Sequence, residues 1–202
     1  VATVFFNGQA IHAKALFAPL LELDVLEDST VVRPYSSMNS LFNADFKAGY
    51  RRSMKGSVFI PPLDLKFAEK FLQEFGDFVL KTPDAFMSMM IFEFFPFKKI
   101  IQVPHNDTAF ANRGAYGNVL WIAGWTKEEH DEECREWTRH MSREARMEFE
   151  RSKMTLRKDG VTEYGVGEYF NYDGMTSLTS TPVVHDLLNS NRYWNWRERG
   201  LR

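Results

Sequence analysis

A mainly apolar run feeding straight into a long charged helix is the feature that most restricts this chain. Tyr116 to Ala123 reads as a strand, and from Thr126 a helix pattern continues to about Lys153. Cys134, Trp137, Met141, Ala145 and Phe149 recur on one side of that helix, with Glu and Arg on the others. Such a stripe has to be buried against another element, here a sheet. Thr126 and Glu129 stand at the spacing of a capping box, which predicts the helix start.

The rest of the pattern supports a sheet with helices. Val1 to Phe6 reads as a short strand closed by Asn7-Gly8, so that the chain opens inside an element. A helix is expected from about Gln9, with Ala13, Leu16, Phe17 and Leu20 on its apolar side and Pro19 ending or kinking it. Tyr50 to Ile60 reads as a strand. Leu65, Ala68, Phe71, Leu72, Phe75 and Val79 mark a second helix, with Asp64 as its N-cap. Phe86 to Phe94, Lys99 to Val103 and Val161 to Tyr172 are read as further strands. Elements alternate irregularly and no glycine loop for phosphate is present. The expectation is therefore α+β: a mostly antiparallel β-sheet with the helices packed on one face.

Composition removes several function classes. A net charge of -2 offers no general attraction to nucleic acid or anionic membranes. The run Phe86 to Phe97 is broken by Glu93 and Pro96 and is too short to span a bilayer. One cysteine, Cys134, excludes an internal disulfide and a thiolate metal cluster, and its place in the apolar stripe marks a buried thiol. His12, His105, His130, His140 and His185 show no metal-ligand spacing. The helix from Thr126 pairs opposite charges at helical spacing, which is an ordinary solvent face. Asn106-Asp107-Thr108 is a glycosylation triplet that matters only in a secreted chain. Eighteen phenylalanines within a 15% aromatic share point to an aromatic core, an apolar pocket, or both.

Three stretches, taken in order, carry a resemblance. They are Phe92-Glu93-Phe94-Phe95-Pro96 with Thr108-Ala109-Phe110-Ala111-Asn112-Arg113-Gly114 after it, the strand leading into Trp125 with the helix behind it, and Tyr169-Phe170-Asn171-Tyr172. Together they resemble the C-terminal portion of fungal berberine-bridge-like flavoproteins, within the vanillyl-alcohol-oxidase superfamily. The likeness covers roughly residues 1–174, a substrate-binding domain, with 175–202 a divergent tail. It implies an antiparallel sheet roofing an FAD held by a separate domain, and an oxidoreductase of fungal specialised metabolism acting on an apolar or aromatic small molecule. Hydride would pass to the flavin from an alcohol, amine or similar carbon. Tyr169 matches a substrate-facing and catalytic position, and Asn171 and Tyr172 match positions beside the flavin. Arg113 matches the arginine of the family's Phe-Pro-His-Arg loop.

Departures from the family pattern open alternatives. Nothing in the chain matches the family's flavin-binding domain, so FAD is not expected to be held by these residues alone; a flavin-domain partner or a homodimer is implied. Leu120 stands where plant relatives carry a polar residue suspected as base, and a leucine takes no proton. The chain could therefore be a cofactor-free cyclase or isomerase that kept the substrate pocket, or a non-catalytic dimeric binding module. Gly165-Val166-Gly167 leads into a strand pattern and is no dinucleotide fingerprint. Tyr193-Trp194-Asn195-Trp196-Arg197 is either an altered terminus or an aromatic-basic patch. Glu93 interrupts an aromatic strand: facing the sheet interior it is a candidate acid or base, and paired with Arg113 it is structural.

Overall fold

The computed structural model describes residues 1–43, 48–104, 107–108 and 113–158, the last four by their backbone alone. The chain divides into two compact units, Val1–Ala48 and Gly49–Arg202. In the first unit, helix α1 (Ala10–Leu16) and helix α2 (Ala18–Leu21) adjoin at Phe17, with Pro19 in the opening turn of α2, where its missing N–H costs nothing. A 3-10 turn, Tyr35–Ser40, follows, and the Phe5 and Tyr35 rings lie 6.0 Å apart. No described residue of this unit is buried.

The second unit carries the α+β architecture. Strands β1 (Arg51–Phe59), β2 (Met89–Glu93) and β3 (Gly117–Trp125) form one antiparallel sheet in the order β1-β3-β2. Helix α3 (Leu65–Lys81) links β1 to the other edge, and helix α4 (Asp131–Lys158) follows β3. Alternation sends Val119, Trp121, Ala123 and Trp125 of the central strand to one side of the sheet. There they pack with Phe67, Phe71 and Phe78 of α3 and with Cys134, Met141 and Ala145 of α4. Phe71 meets Trp121 at 5.2 Å, and Phe78 stacks flat on Trp137 at 4.1 Å. Lys70–Glu144, Glu74–His140 and Lys81–Glu133 bridge the helices. The numbers rise on α3 as they fall on α4, so the two run antiparallel over the same face.

The packing under α4 is partly polar. On β1 the helix-facing residues are Arg51, Ser53, Lys55, Ser57 and, in the core, Phe59, by the same alternation. Ser53 shares a hydroxyl hydrogen bond of 2.8 Å with Thr138, and Ser142 donates to the Gly56 carbonyl at 2.8 Å. Asp131, at the first turn of α4, accepts from Arg51, from the Trp125 indole N–H at 2.8 Å and from Arg135 at 2.9 Å. The Arg51 hydrogen bonds lead in holding its carboxyl well below the usual carboxylate range, with Trp125 and Arg135 adding to them.

Several sequence expectations need correction. Val1 to Phe6 is not a strand. Lys99 to Val103 contains a 3-10 turn, Ile100–Gln102, closed by the Gln102 amide on the Lys99 carbonyl and the Val103 amide on the Ile100 carbonyl, both at 3.3 Å. The strand expected over Phe86 to Phe94 is confined to β2, because the turn from Pro83 carries on to Ser88. Leu65 and Leu72 lie on the solvent side of α3, and Phe67 and Phe78 take the buried side instead. The capping box is replaced by a distant group. Asp84 accepts from the Thr126 and Lys127 amides at 3.0 and 2.9 Å and from the Thr126 hydroxyl. That hydroxyl first, then the amides, pull the Asp84 carboxyl down to about 2. The expected strand 161–172 and the boundary at Gly174 lie outside the described residues.

Candidate functional site

The second face of the sheet, opposite the one that packs on α3 and the middle of α4, carries Glu93 and Leu120, and α4 reaches its Val58 end through Phe149. Pairing is direct: Glu93 stands opposite Asn118, Ile91 opposite Leu120, and Met89 opposite Ile122. From β1, Val58, Gly56 and Met54 stand opposite the same three β3 residues. Met54, Met89, Ile91, Leu120 and Ile122 therefore form an apolar strip. Leu120 and Ile122 are buried, while Met54, Met89, Ile91 and Glu93 are half-buried. All nine residues of β3 are buried, so both faces of the central strand are withdrawn from water. An antiparallel sheet with helices on one side usually presents a polar second face. This one does not.

The strip ends in a polar pair. Asn118 Nδ2 donates to Glu93 Oε2 at 3.0 Å, and Asn118 is itself buried. On its β1 side Asn118 adjoins Val58, which packs with Tyr116 and Phe149 and offers no polar group. The carboxylate of Glu93 is thus held at the edge of an apolar surface with one oxygen fixed. Gly117 keeps this corner close: a Cβ there would strike the Phe59 ring and lie 2.6 Å from the Glu93 carbonyl oxygen.

Of the residues singled out from sequence, Glu93 and Leu120 come together on neighbouring rungs of one face. Arg113 precedes β3 by four positions, half-buried, and its guanidinium donates to the Thr108 hydroxyl at 2.6 Å. Tyr169, Asn171 and Tyr172 lie outside the described residues, as do residues 109–112 of the arginine loop. Asn118 escaped the sequence reading. Alternation already placed it on the Leu120 face, but its partner became visible only through a strand register spanning 25 residues.

Other chemistries find less here. Cys134 is buried in the core, and desolvation, with Glu133 next, pushes its thiol up to about 12, far from a nucleophile or a flavin attachment point. Among the described residues no group of three or more His, Cys, Asp or Glu could hold a metal ion, and no described helix is long and apolar enough to cross a membrane. As for FAD, the apolar strip is bordered by one amide and one carboxylate, its central Leu120 and Ile122 are already buried within the chain, and the described residues include no phosphate-binding element. No family model, curated protein or solved structure matches this chain.

Proposed function

We propose that this chain is the substrate-covering half of an FAD-linked oxidoreductase of the berberine-bridge-like kind, serving fungal specialised metabolism with the flavin held by a separate domain. One observation carries the reading. The sheet has an apolar second face, interrupted at one end by the Glu93–Asn118 pair, although its helices lie on the first. A surface of that kind suits an apolar ligand sandwiched against a ring. Bound FAD would supply the hydride acceptor, to be regenerated by oxygen. Within this chain, Ile91, Leu120 and Ile122 would exclude water and place the substrate body, and Glu93 would accept the proton released from a substrate hydroxyl or amine. Tyr169, Asn171 and Tyr172 would complete the polar contacts, as the family resemblance implies.

Leu120 favours a second reading. It occupies the middle of the strip, where a base would be most useful, and it transfers no proton. A cofactor-free cyclase or isomerase needs shape rather than a relay, since holding a near-attack conformer can supply much of the barrier reduction. The visible spectrum of the native gene product carrying this chain separates the two. Flavin absorption bands that bleach on anaerobic reduction support the oxidoreductase. A colourless preparation refutes it, and ring closure catalysed by that preparation supports the cyclase.

A further inference from the structure

We propose that this chain self-associates, the acidic, leucine-rich residues 20–28 of one copy docking on the basic, aromatic turn at residues 94–101 of a second copy. The first unit, Val1–Ala48, buries none of its described residues. Units this small usually need a disulfide, a metal or association to hold their shape. Cys134 lies in the other unit, and no described group of three or more His, Cys, Asp or Glu could take a metal ion, which leaves association. The apolar surface that needs cover is concentrated after α2 begins. Leu20, Leu21, Leu23, Val25 and Leu26 are all exposed, Leu23 at 58% and Val25 at 53%. Between Lys14 and Arg33 the chain carries Glu22, Asp24, Glu27 and Asp28 and no lysine or arginine. A surface that covers this segment is therefore apolar and positively charged.

The second unit supplies such a surface directly after β2. Phe94, Phe95 and Ile101 are exposed there around the exposed Lys98 and Lys99. No aspartate or glutamate stands between Glu93 and Asp107. The turn has a fixed base: the Ile101 amide donates to the Phe97 carbonyl at 3.0 Å, and the Phe94 ring lies 5.1 Å from that of Phe59. Lys98 and Lys99 form no ion pair with a described residue, and neither do Glu22, Asp24 and Glu27. Opposite charges thus stand uncommitted on two apolar patches that the single chain leaves open to solvent, which makes a second copy the fitting occupant. Leucines against phenylalanines form the dry centre of the contact, and the charges at its rim set the orientation. Reciprocal exchange, each copy giving its segment and receiving its partner's, closes a two-fold dimer. Neither patch includes Glu93 or Leu120, so the contact is independent of the flavin reading.

The test is the molar mass of the full chain by sedimentation equilibrium at up to about 100 μM, enough to populate a dimer of micromolar Kd. A dimer is expected, and it should weaken as salt screens the rim charges. Two charge reversals then divide the contact. Glu22→Lys with Asp24→Lys makes the segment basic, and Lys98→Glu with Lys99→Glu makes the turn acidic. Each of these proteins alone should dimerise at least about tenfold more weakly, because like charges then face each other. An equimolar mixture of the two should recover the dimer, since each segment meets opposite charge on the other protein's turn. Recovery in the mixture also shows that both variants are folded. Leu23→Ser with Leu26→Ser should weaken the native dimer at every salt concentration. A chain that stays monomeric, a dimer that neither reversal weakens, or a mixture that remains monomeric overturns the proposal.

Discussion

Replacing Phe71 with alanine, and separately Leu72 with alanine, tests how α3 lies on the sheet. The two residues are sequence neighbours in the same apolar pattern, but the structure separates them. Phe71 is 1% exposed, with its ring 4.5 Å from Phe67 and 5.2 Å from Trp121. Leu72 is 55% exposed. Truncating a phenylalanine so enclosed removes its transfer energy and leaves a cavity that Trp121, itself fully buried, has little room to fill. The expected loss is about 3–5 kcal/mol. That is a large share of the roughly 5–15 kcal/mol by which domains are stable. Leu72→Ala should stay within about 0.5 kcal/mol. Urea unfolding followed by far-UV circular dichroism measures both, with comparable slopes licensing the comparison. Tryptophan fluorescence should also shift in Phe71→Ala, because Trp121 loses a ring neighbour. Equal losses from the two variants, or a larger loss from Leu72→Ala, would refute the placement of α3.

Other expectations follow from the same packing. Asp84 ionises near 2 in the fold against an ordinary 3.8, so its ties to Thr126 and Lys127 stabilise fully above 3.8 and fade as pH falls toward about 2. The difference in Tm between the native chain and Asp84→Asn should accordingly shrink on acidification; a difference that widens contradicts it. Two glycines should respond with opposite signs in the same unfolding assay. Gly117→Ala should destabilise by about 1–3 kcal/mol, because its Cβ meets the Phe59 ring and the backbone of Glu93. Gly76→Ala, with nothing within 4 Å and a helix to favour, should stabilise by about 0.5–1 kcal/mol.

The helices and the two long strands were legible because each carries its own period. The stripe Cys134, Met141, Ala145 and Phe149 and the cap at Asp64 need only local reading, and both hold. What failed depends on partners distant in sequence. Val1 to Phe6 has strand-forming residues, but propensity without a neighbouring strand makes no sheet. Asp84, 42 residues before Thr126, holds the Thr126–Lys127 corner ahead of a 3-10 turn, Glu128–His130, and α4 begins only at Asp131, so the local Thr126–Glu129 spacing misled. In β1 the alternation is deceptive as well. Met54 marks one side as apolar, yet the middle of α4 lies on the other, over Ser53, Lys55 and Ser57, and Val58 meets α4 through Phe149. The candidate site was half legible. Glu93 stood out as a charge in an aromatic strand, and Leu120 through the family resemblance, but the Asn118 contact that joins them required the register.

The claim on which the rest depends is that the Leu120 side of the sheet lies against a flavin. Tryptophan placed there would be in contact with the ring and would quench its fluorescence. Leu120→Trp and, as a control on the outer side of α3, Leu72→Trp should be made in the native flavin-loaded protein and their flavin emission compared. Strong quenching by Leu120→Trp with none by Leu72→Trp is the predicted result. Unchanged emission in both, or equal quenching in both, would contradict the account.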